Sequence, residues 1–270
     1  GGFYSRELYF LELRKAGAII HAPCVNHSSY LTSIRDSEVY TGFIHIQSLE
    51  KEAADKILEE RGRYGSYLHL QDFMERTEVS AEALDLLISI GALRFTGKSK
   101  KQLLWEANFL KQRSGERIAA GHALFADSPA SFTLPSFPVY PLDDRYDEME
   151  ILGFPLSNPF DLCAEDPFMH TMAADLEKHG GKKVTMLLYY IDQKMVRTVN
   201  GNTMAFGTFL DARLDWVDTV HFPESLNRYP LVGKGFYKLT GKVTEDFGVY
   251  SVEVSHVSKI GYKSRKGTEQ

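Results

Sequence analysis

The chain has 270 residues, long enough for two modest domains or more, and is 43% hydrophobic and 25% charged, ordinary values for a globular protein. No apolar run approaches the roughly 18 residues that a membrane helix needs, and no secretory signal opens the chain, so the expectation is a cytoplasmic protein with no membrane partner. The net charge of −5 argues against a dedicated nucleic-acid binder, and two cysteines with scattered histidines offer neither a metal-like pair nor zinc-ligand spacing.

Residues 5–16 read as a first helix. Leu8, Tyr9, Phe10 and Leu11 form its apolar stripe, and Gly17 stands where a helix-ending glycine belongs. Ala18–Ile20 reads as a short strand, followed by a loop from His21 to Ser28. A second apolar run covers Val39–Gln47. The next helix spans about Glu50–Arg61, with Leu49, Ala53, Ile57 and Leu58 facing inward and Glu50, Lys51, Asp55, Lys56, Glu59 and Glu60 facing out. Leu68–Glu75 is a shorter element. Ser80 caps a helix over Ala81–Ile90 that Gly91 ends, and Ser99 caps another over Lys100–Arg113. Leu84, Leu87 and Ile90, then Leu103, Leu104, Ala107 and Leu110, supply the buried stripes.

From Ser114 to Pro141 the helical period is expected to stop. Pro129, Pro135, Pro138 and Pro141 punctuate a linker composition. Within it Leu124 and Phe125 are two large apolar side chains that either tuck against a neighbouring domain or dock into a partner's pocket. Asp143–Ile151 reads as a helix, residues 152–159 as a turn, and Met169–Lys178 as a short helix closed by Gly180 and Gly181. The acidic group Asp143, Asp144 and Asp147 lies beside the linker and is not read as a metal site.

The region Lys182–Ser258 reads as six short strands: Lys183–Asp192, Met195–Val199, Thr203–Asp211, Asp215–Phe222, Gly235–Thr244 and Val249–Val257. Each is rich in β-branched and aromatic residues, and Asn200-Gly201-Asn202 is the strongest hairpin signal. Short strands at this spacing predict a small closed barrel.

Taken together, these segments resemble the C-terminal half of the bacterial DNA polymerase III alpha subunit. The resemblance runs in order through Gly1-Gly2-Phe3-Tyr4, Arg14-Lys15-Ala16-Gly17, the loop Pro23-Cys24-Val25-Asn26-His27-Ser28, residues 42–61, and Leu87–Leu93. It continues through Leu152–Ser157, Met204–Asp211 and Val220–Glu224. It implies an α+β multi-domain chain with a small helical helix-hairpin-helix domain followed by an OB-fold β-barrel. The implied divisions are the end of a fingers domain (1–36), a tandem helix-hairpin-helix domain (37–113), a linker with a clamp-binding peptide (114–142), a helical connector (143–181), the OB-fold (182–258) and a basic tail (259–270).

The resemblance also implies roles. The helix-hairpin-helix domain would hold duplex DNA through phosphate contacts, with Arg61, Arg63, Lys98, Lys100 and Lys101 as candidates. The OB-fold would accept single-stranded template on Tyr189, Tyr190, Lys194, Arg197, Phe206 and Arg213, with about half of the aromatics expected in the barrel core because strands alternate. His122, Leu124 and Phe125 match the position of the clamp-binding peptide without its usual glutamine, and clamp docking becomes the favoured role of the two apolar anchors. The sliding clamp (beta subunit) and other replisome subunits would be partners. Two departures stand out: the hairpin's usual glycines are replaced by Ser48 and Glu50, and the clamp peptide lacks its glutamine; the resemblance also implies that the catalytic carboxylates lie in a palm domain upstream of everything seen here. The expectation is therefore no catalytic residue, no cofactor in this stretch (Mg²⁺ serving the intact polymerase), no polymerisation by this chain alone, and weak, salt-dependent DNA binding. The alternative is a stand-alone single-stranded DNA-binding OB-fold protein.

Overall fold

The structure, a computed structural model, describes residues 5–120 and 138–266. The chain divides into two compact units, one formed by residues 17–156 and the other by the segment up to Ala16 together with everything from Ser157 onward. Helix α1 (Arg6–Lys15) belongs to the second unit. Ser5 caps it, its hydroxyl accepting from the Leu8 amide at 3.4 Å, and Gly17 follows with φ of 88°.

The first unit begins with a small sheet in which β3 (Glu38–Tyr40) lies between β1 (Ile19–His21), parallel to it, and β2 (Ser33–Arg35), antiparallel to it. A 3-10 turn at Phe43–His45 then leads into α2 (Lys51–Tyr64), α3 (Leu70–Thr77), α4 (Ala81–Ser89), α5 (Lys100–Ala120) and α6 (Asp143–Ile151). Phe43, Ile57, Leu70, Phe73, Leu84, Leu87, Ile88, Leu93 and Leu103 are all within 1% of full burial. Each such side chain contributes about 1.5–3 kcal/mol of transfer free energy. Ser80 caps α4 through the Ala83 amide at 3.1 Å, as its position before an apolar run predicts.

Two expectations need correction in this unit. The inner face of α2 carries Ala54 rather than Ala53, and Glu60, assigned to the outer face, is only 6% exposed. Lys56 at 3.6 Å and Arg63 at 3.9 Å compensate its carboxylate. Helix α5 runs to Ala120 instead of stopping at Arg113. Glu116, Arg117, Ala119 and Ala120 are good helix formers, and the first proline comes only at position 129.

The second unit is a closed barrel of β4 (Lys183–Arg197), β5 (Thr203–Leu210), β6 (Trp216–His221), β7 (Phe236–Asp246) and β8 (Val249–Ile260) in the order β4-β5-β6-β8-β7. β6 and β8 pair in parallel and the other neighbours are antiparallel, with α7 (Pro223–Arg228) between β6 and β7. This is a five-stranded Greek-key barrel of the OB type. Met186, Leu188, Phe209, Val217, Tyr237, Leu239, Val243, Val252 and Val254 fill its interior. Gly241 sits where β7 bends against β8, and a Cβ there would strike the Glu253 carbonyl oxygen.

The two expected strands Lys183–Asp192 and Met195–Val199 are one strand. A register shift between Tyr190 and Asp192 bends β4, while Gln193 and Lys194 stay paired with Gly207 and Phe206. The expected helix Met169–Lys178 is two 3-10 turns, Pro167–Met169 and Ala173–His179. Asp166 accepts from the Phe168 amide at 3.0 Å and Asp211 from the Ala173 amide at 2.9 Å, and these caps divide the segment. Helix α1 is tied to the barrel at three places. Leu11 packs with Leu210 and Leu214, Lys15 pairs with Asp215 at 2.9 Å, and buried Glu7 accepts from Tyr189 at 2.6 Å and Lys234 at 2.8 Å.

Candidate nucleic-acid interface

The first hairpin, residues 46–50, joins the 3-10 turn to α2. Ser48 has φ of 64°, in the left-handed region that glycine enters freely and an L-residue enters at about 1 kcal/mol. The hairpin thus keeps a glycine-like backbone without a glycine. Glu50 is the N-cap of α2, is exposed, and makes no side-chain cap bond. The amides of the first turn are therefore uncovered by a cap, while a carboxylate stands where a phosphate would approach. Lys51 pairs with Asp55 at 2.6 Å. Arg61 donates to the Val25 carbonyl at 2.7 Å, and its burial lowers the guanidinium pKa. Arg63 is exposed and pairs with Glu59 at 2.7 Å.

The second hairpin runs from α4 to α5, with Gly91 and Gly97 at φ of 75° and 72° around a 3-10 turn at Arg94–Thr96. Ser99 and Gln102 close a reciprocal capping box at the start of α5, with distances of 3.3 and 3.0 Å. This places Lys98, Lys100 and Lys101 about the first turn of α5. Each ammonium has an internal partner: Lys98 with Glu106 at 2.7 Å, Lys100 with Asp144 at 2.6 Å and Asp147 at 2.7 Å, and Lys101 with the Pro138 carbonyl at 2.7 Å. Only the Lys100–Asp144 pair has a well exposed carboxylate and is worth about 1 kcal/mol or less; Glu106 and Asp147 are largely buried and hold Lys98 and Lys100 more firmly. The cluster is assembled, but it is not a field of free charge.

On the barrel, strand register fixes what shares a face. Lys194 lies beside Phe206 and Phe206 beside Val220; Asp192, Thr208 and Asp218 form the next row; Leu210 and Trp216 form a third. Phe206 is 44% exposed, and Lys194, Arg197 and Arg213 are exposed. Tyr189 is corrected to a packing role, while Tyr190 is half-buried. Tyr189 is 5% exposed, lies 5.2 Å from the Phe236 ring and donates to Glu7. Tyr190 packs at 5.6 Å against Phe209 and 6.1 Å from Tyr237. Burial pushes both hydroxyl pKa values up.

Three aromatics outside the sequence-based candidates are open. Tyr9, assigned to the apolar stripe of α1, and Trp216 are each at least 40% exposed. Phe247 is almost fully exposed at the β7–β8 turn, with φ of 50° followed by Gly248 at 82°, a pair of values that favours Asn-Gly or Asp-Gly. A bulky residue in that conformation is the kind of outlier that points to use. The signal was present as a phenylalanine directly before a turn glycine. His122, Leu124 and Phe125 lie outside the described residues.

These features define the class: a helix-hairpin-helix module followed in the chain by an OB-type barrel. Residues 17–103 match the helix-hairpin-helix motif family. The chain is similar to bacterial polymerases: it is 29% identical over 217 residues to the DNA polymerase III subunit alpha of Aquifex aeolicus, covering 77% of this chain and 18% of that one. Against the same subunit of Borreliella burgdorferi it is 25% identical over 275 residues, covering 93% and 24%. Against the error-prone DNA polymerase of Mycobacterium tuberculosis (strain H37Rv) it is 32% identical over 108 residues, covering 39% and 10%. The chain spans between about a tenth and a quarter of the length of these relatives.

Proposed function

We propose that this chain is the DNA-engaging portion of a DNA polymerase of the DNA polymerase III alpha class, working by position rather than by chemistry. The observation that carries the reading is the succession of helix-hairpin-helix module and OB-type barrel along a sequence similar to such polymerases over most of its length. The hairpins of the first unit engage duplex phosphates through backbone amides and the lysines about the start of α5, and the barrel's outer face receives single-stranded template. The peptide containing His122, Leu124 and Phe125 docks on a sliding clamp, which makes rebinding to DNA an intramolecular event. Nucleotidyl transfer belongs to carboxylates and Mg²⁺ carried elsewhere in the parent enzyme.

The test compares the wild-type chain with a Leu124→Ala, Phe125→Ala double variant for binding to purified sliding clamp. DNA affinity is followed in parallel by anisotropy on duplex and single-stranded oligonucleotides across a salt series. The reading expects clamp binding that the double variant loses, and weak DNA binding that falls with salt. Salt-insensitive nanomolar DNA binding would contradict it. A wild type that ignores the clamp removes the tether from the proposal and favours a stand-alone single-strand binder.

A further inference from the structure

Helix α1 and the β5–β6 face of the barrel enclose an open cleft of about 680 Å³ lined by Leu8, Tyr9, Glu12, Thr208 and Trp216. Its walls are held in place, because α1 is tied to the barrel by the Leu11 packing, the Lys15–Asp215 pair and buried Glu7. Leu8 is buried at its base, while Tyr9 is 53% and Trp216 40% exposed. Among the described residues neither aromatic has a ring partner or a side-chain hydrogen bond, which is unusual for two large rings lining one cleft. Buried tyrosines of the same unit, by contrast, donate to Glu7 or to the Val232 carbonyl.

The charge around the cleft selects its occupant. The exposed Glu12 carboxylate has no cation partner among the described residues, and Lys15, one turn on, is engaged by Asp215. Thr208 leans toward Asp218 at 3.4 Å, and Asp192 sits in the same cross-strand row. A phosphate is repelled here. A flat ring carrying an amine is accepted, since an aromatic side chain lining the cleft can stack on its face and a carboxylate takes a hydrogen bond from its N–H. The exposed cation Lys194 lies one strand over beside Phe206, four residues along β5 from the Leu210–Trp216 pair, or about 13 Å. A sugar-phosphate backbone can therefore run along the positive end of the face while a base turns toward the acidic end.

We infer that this cleft binds one unstacked, amino-bearing nucleobase of a single strand, its ring against Trp216 and Tyr9 and its exocyclic amine on Glu12. The inference deepens the proposed function and rests on the barrel being a single-strand platform. It adds a base preference, adenine or cytosine over thymine, because thymine has no exocyclic amine.

The experiment measures anisotropy of labelled dA, dC and dT 12-mers with the full chain, and with Trp216→Ala, Tyr9→Ala and Glu12→Gln variants whose folding is checked by circular dichroism. All three positions are exposed or rim residues, so the fold should survive. Loss of either ring should weaken dA and dC about tenfold. Glu12→Gln should reduce the preference for dC over dT by about fivefold while leaving dT binding unchanged. If oligonucleotides bind but no variant alters affinity or preference, the cleft is not a base site and the platform reading survives without it. If no oligonucleotide binds, both fall. If an arginine-rich peptide binds in a Trp216-dependent way and DNA does not compete, the cleft belongs to a protein partner and the inference is overturned.

Discussion

The two units present opposite kinds of surface. In the helical unit the cations Arg61, Arg63, Lys98, Lys100 and Lys101 are all brought to the surface or near it, yet each is engaged by a carboxylate or a backbone carbonyl of its own unit. In the barrel unit the open side chains include four aromatics, Phe206, Trp216, Tyr9 and Phe247, with acidic groups beside some of them and the exposed cations Lys194, Arg197 and Arg213 on the same unit. The first surface can gain affinity only by exchanging one ionic partner for another, a process that salt weakens. The second adds stacking on its open rings to the charge of the exposed Lys194, Arg197 and Arg213, so part of what it gains does not depend on ion exchange. Under the proposed function, the contrast assigns the two forms of DNA to two surfaces of different chemistry.

The strongest way to break the comparison is to unfold one side of it. Phe209 is fully buried in the barrel interior, and Phe209→Ala should destabilise that unit by about 3–5 kcal/mol. Each unit carries one tryptophan, Trp105 in the helical unit and Trp216 in the barrel unit. Urea unfolding followed in Trp105→Phe and Trp216→Phe backgrounds reads the two separately. The Trp216 transition should move to lower urea and the Trp105 transition should not. Equal shifts would show that the units melt as one.

Acid should separate the units next, with opposite signs. His221 is fully buried in the barrel, and burial lowers its pKa from 6.5 to about 4. Between those values the unfolded chain binds the proton and the folded one does not, so barrel stability is present above about pH 6.5 and is lost as pH falls toward 4. The loss is at most about 3 kcal/mol. Glu148 in the helical unit is the reverse case, because burial raises its carboxyl pKa above 4.5. Its contribution favours the folded unit at low pH and is lost as pH rises through the raised value. Chemical denaturation between pH 4.5 and 7.5 should show the barrel strengthening with pH, and His221→Gln should flatten that slope. A slope unchanged by the substitution would exclude His221 as its source.

Much of this was legible in the sequence, and what was not has identifiable causes. The capped helices at Ser80 and Ser99 and the α6 boundaries followed from local chemistry, because a cap hydroxyl and an apolar stripe act within one or two turns. The barrel strands followed from their composition and the Asn200-Gly201 turn. The burial of Tyr189 is not readable from the strand pattern, because alternation says which residues share a face but not what covers it. The segment from Ser157 covers Tyr189 with Phe160, and Tyr190, beside the β4 register shift, packs in part against the barrel core. The lysine cluster was found correctly as a cluster. The engagement of Lys100 depends on Asp144 and Asp147, more than 40 residues away in sequence, a pairing that no local pattern encodes. The Tyr9–Trp216 cleft was missed for the same reason, since it joins a helix to strands some 200 residues later.

The first hairpin allows a smaller and sharper test of the electrostatic side. Ser48→Gly should relieve about 1 kcal/mol of left-handed strain, visible as a raised melting temperature of the helical unit. Adding Glu50→Gln removes the carboxylate from the mouth of the hairpin and should strengthen duplex binding about threefold without changing single-strand binding. Equal gains on both forms of DNA would mean that the effect is one of net charge and not of the hairpin.

The smallest expected effect discriminates best between an assembled and an available cation. Asp144→Asn with Asp147→Asn leaves Lys100 in place and takes away its two partners. A freed ammonium adds roughly one phosphate contact, so duplex affinity at low salt should rise a few-fold and the log–log salt slope should steepen by about one unit. Lys100→Ala in the same background should abolish both changes. If the double substitution raises affinity but leaves the slope alone, the two carboxylates act by long-range repulsion and Lys100 never reaches a phosphate. If neither quantity moves, the second hairpin does not face the duplex, and the first hairpin's amides hold it alone.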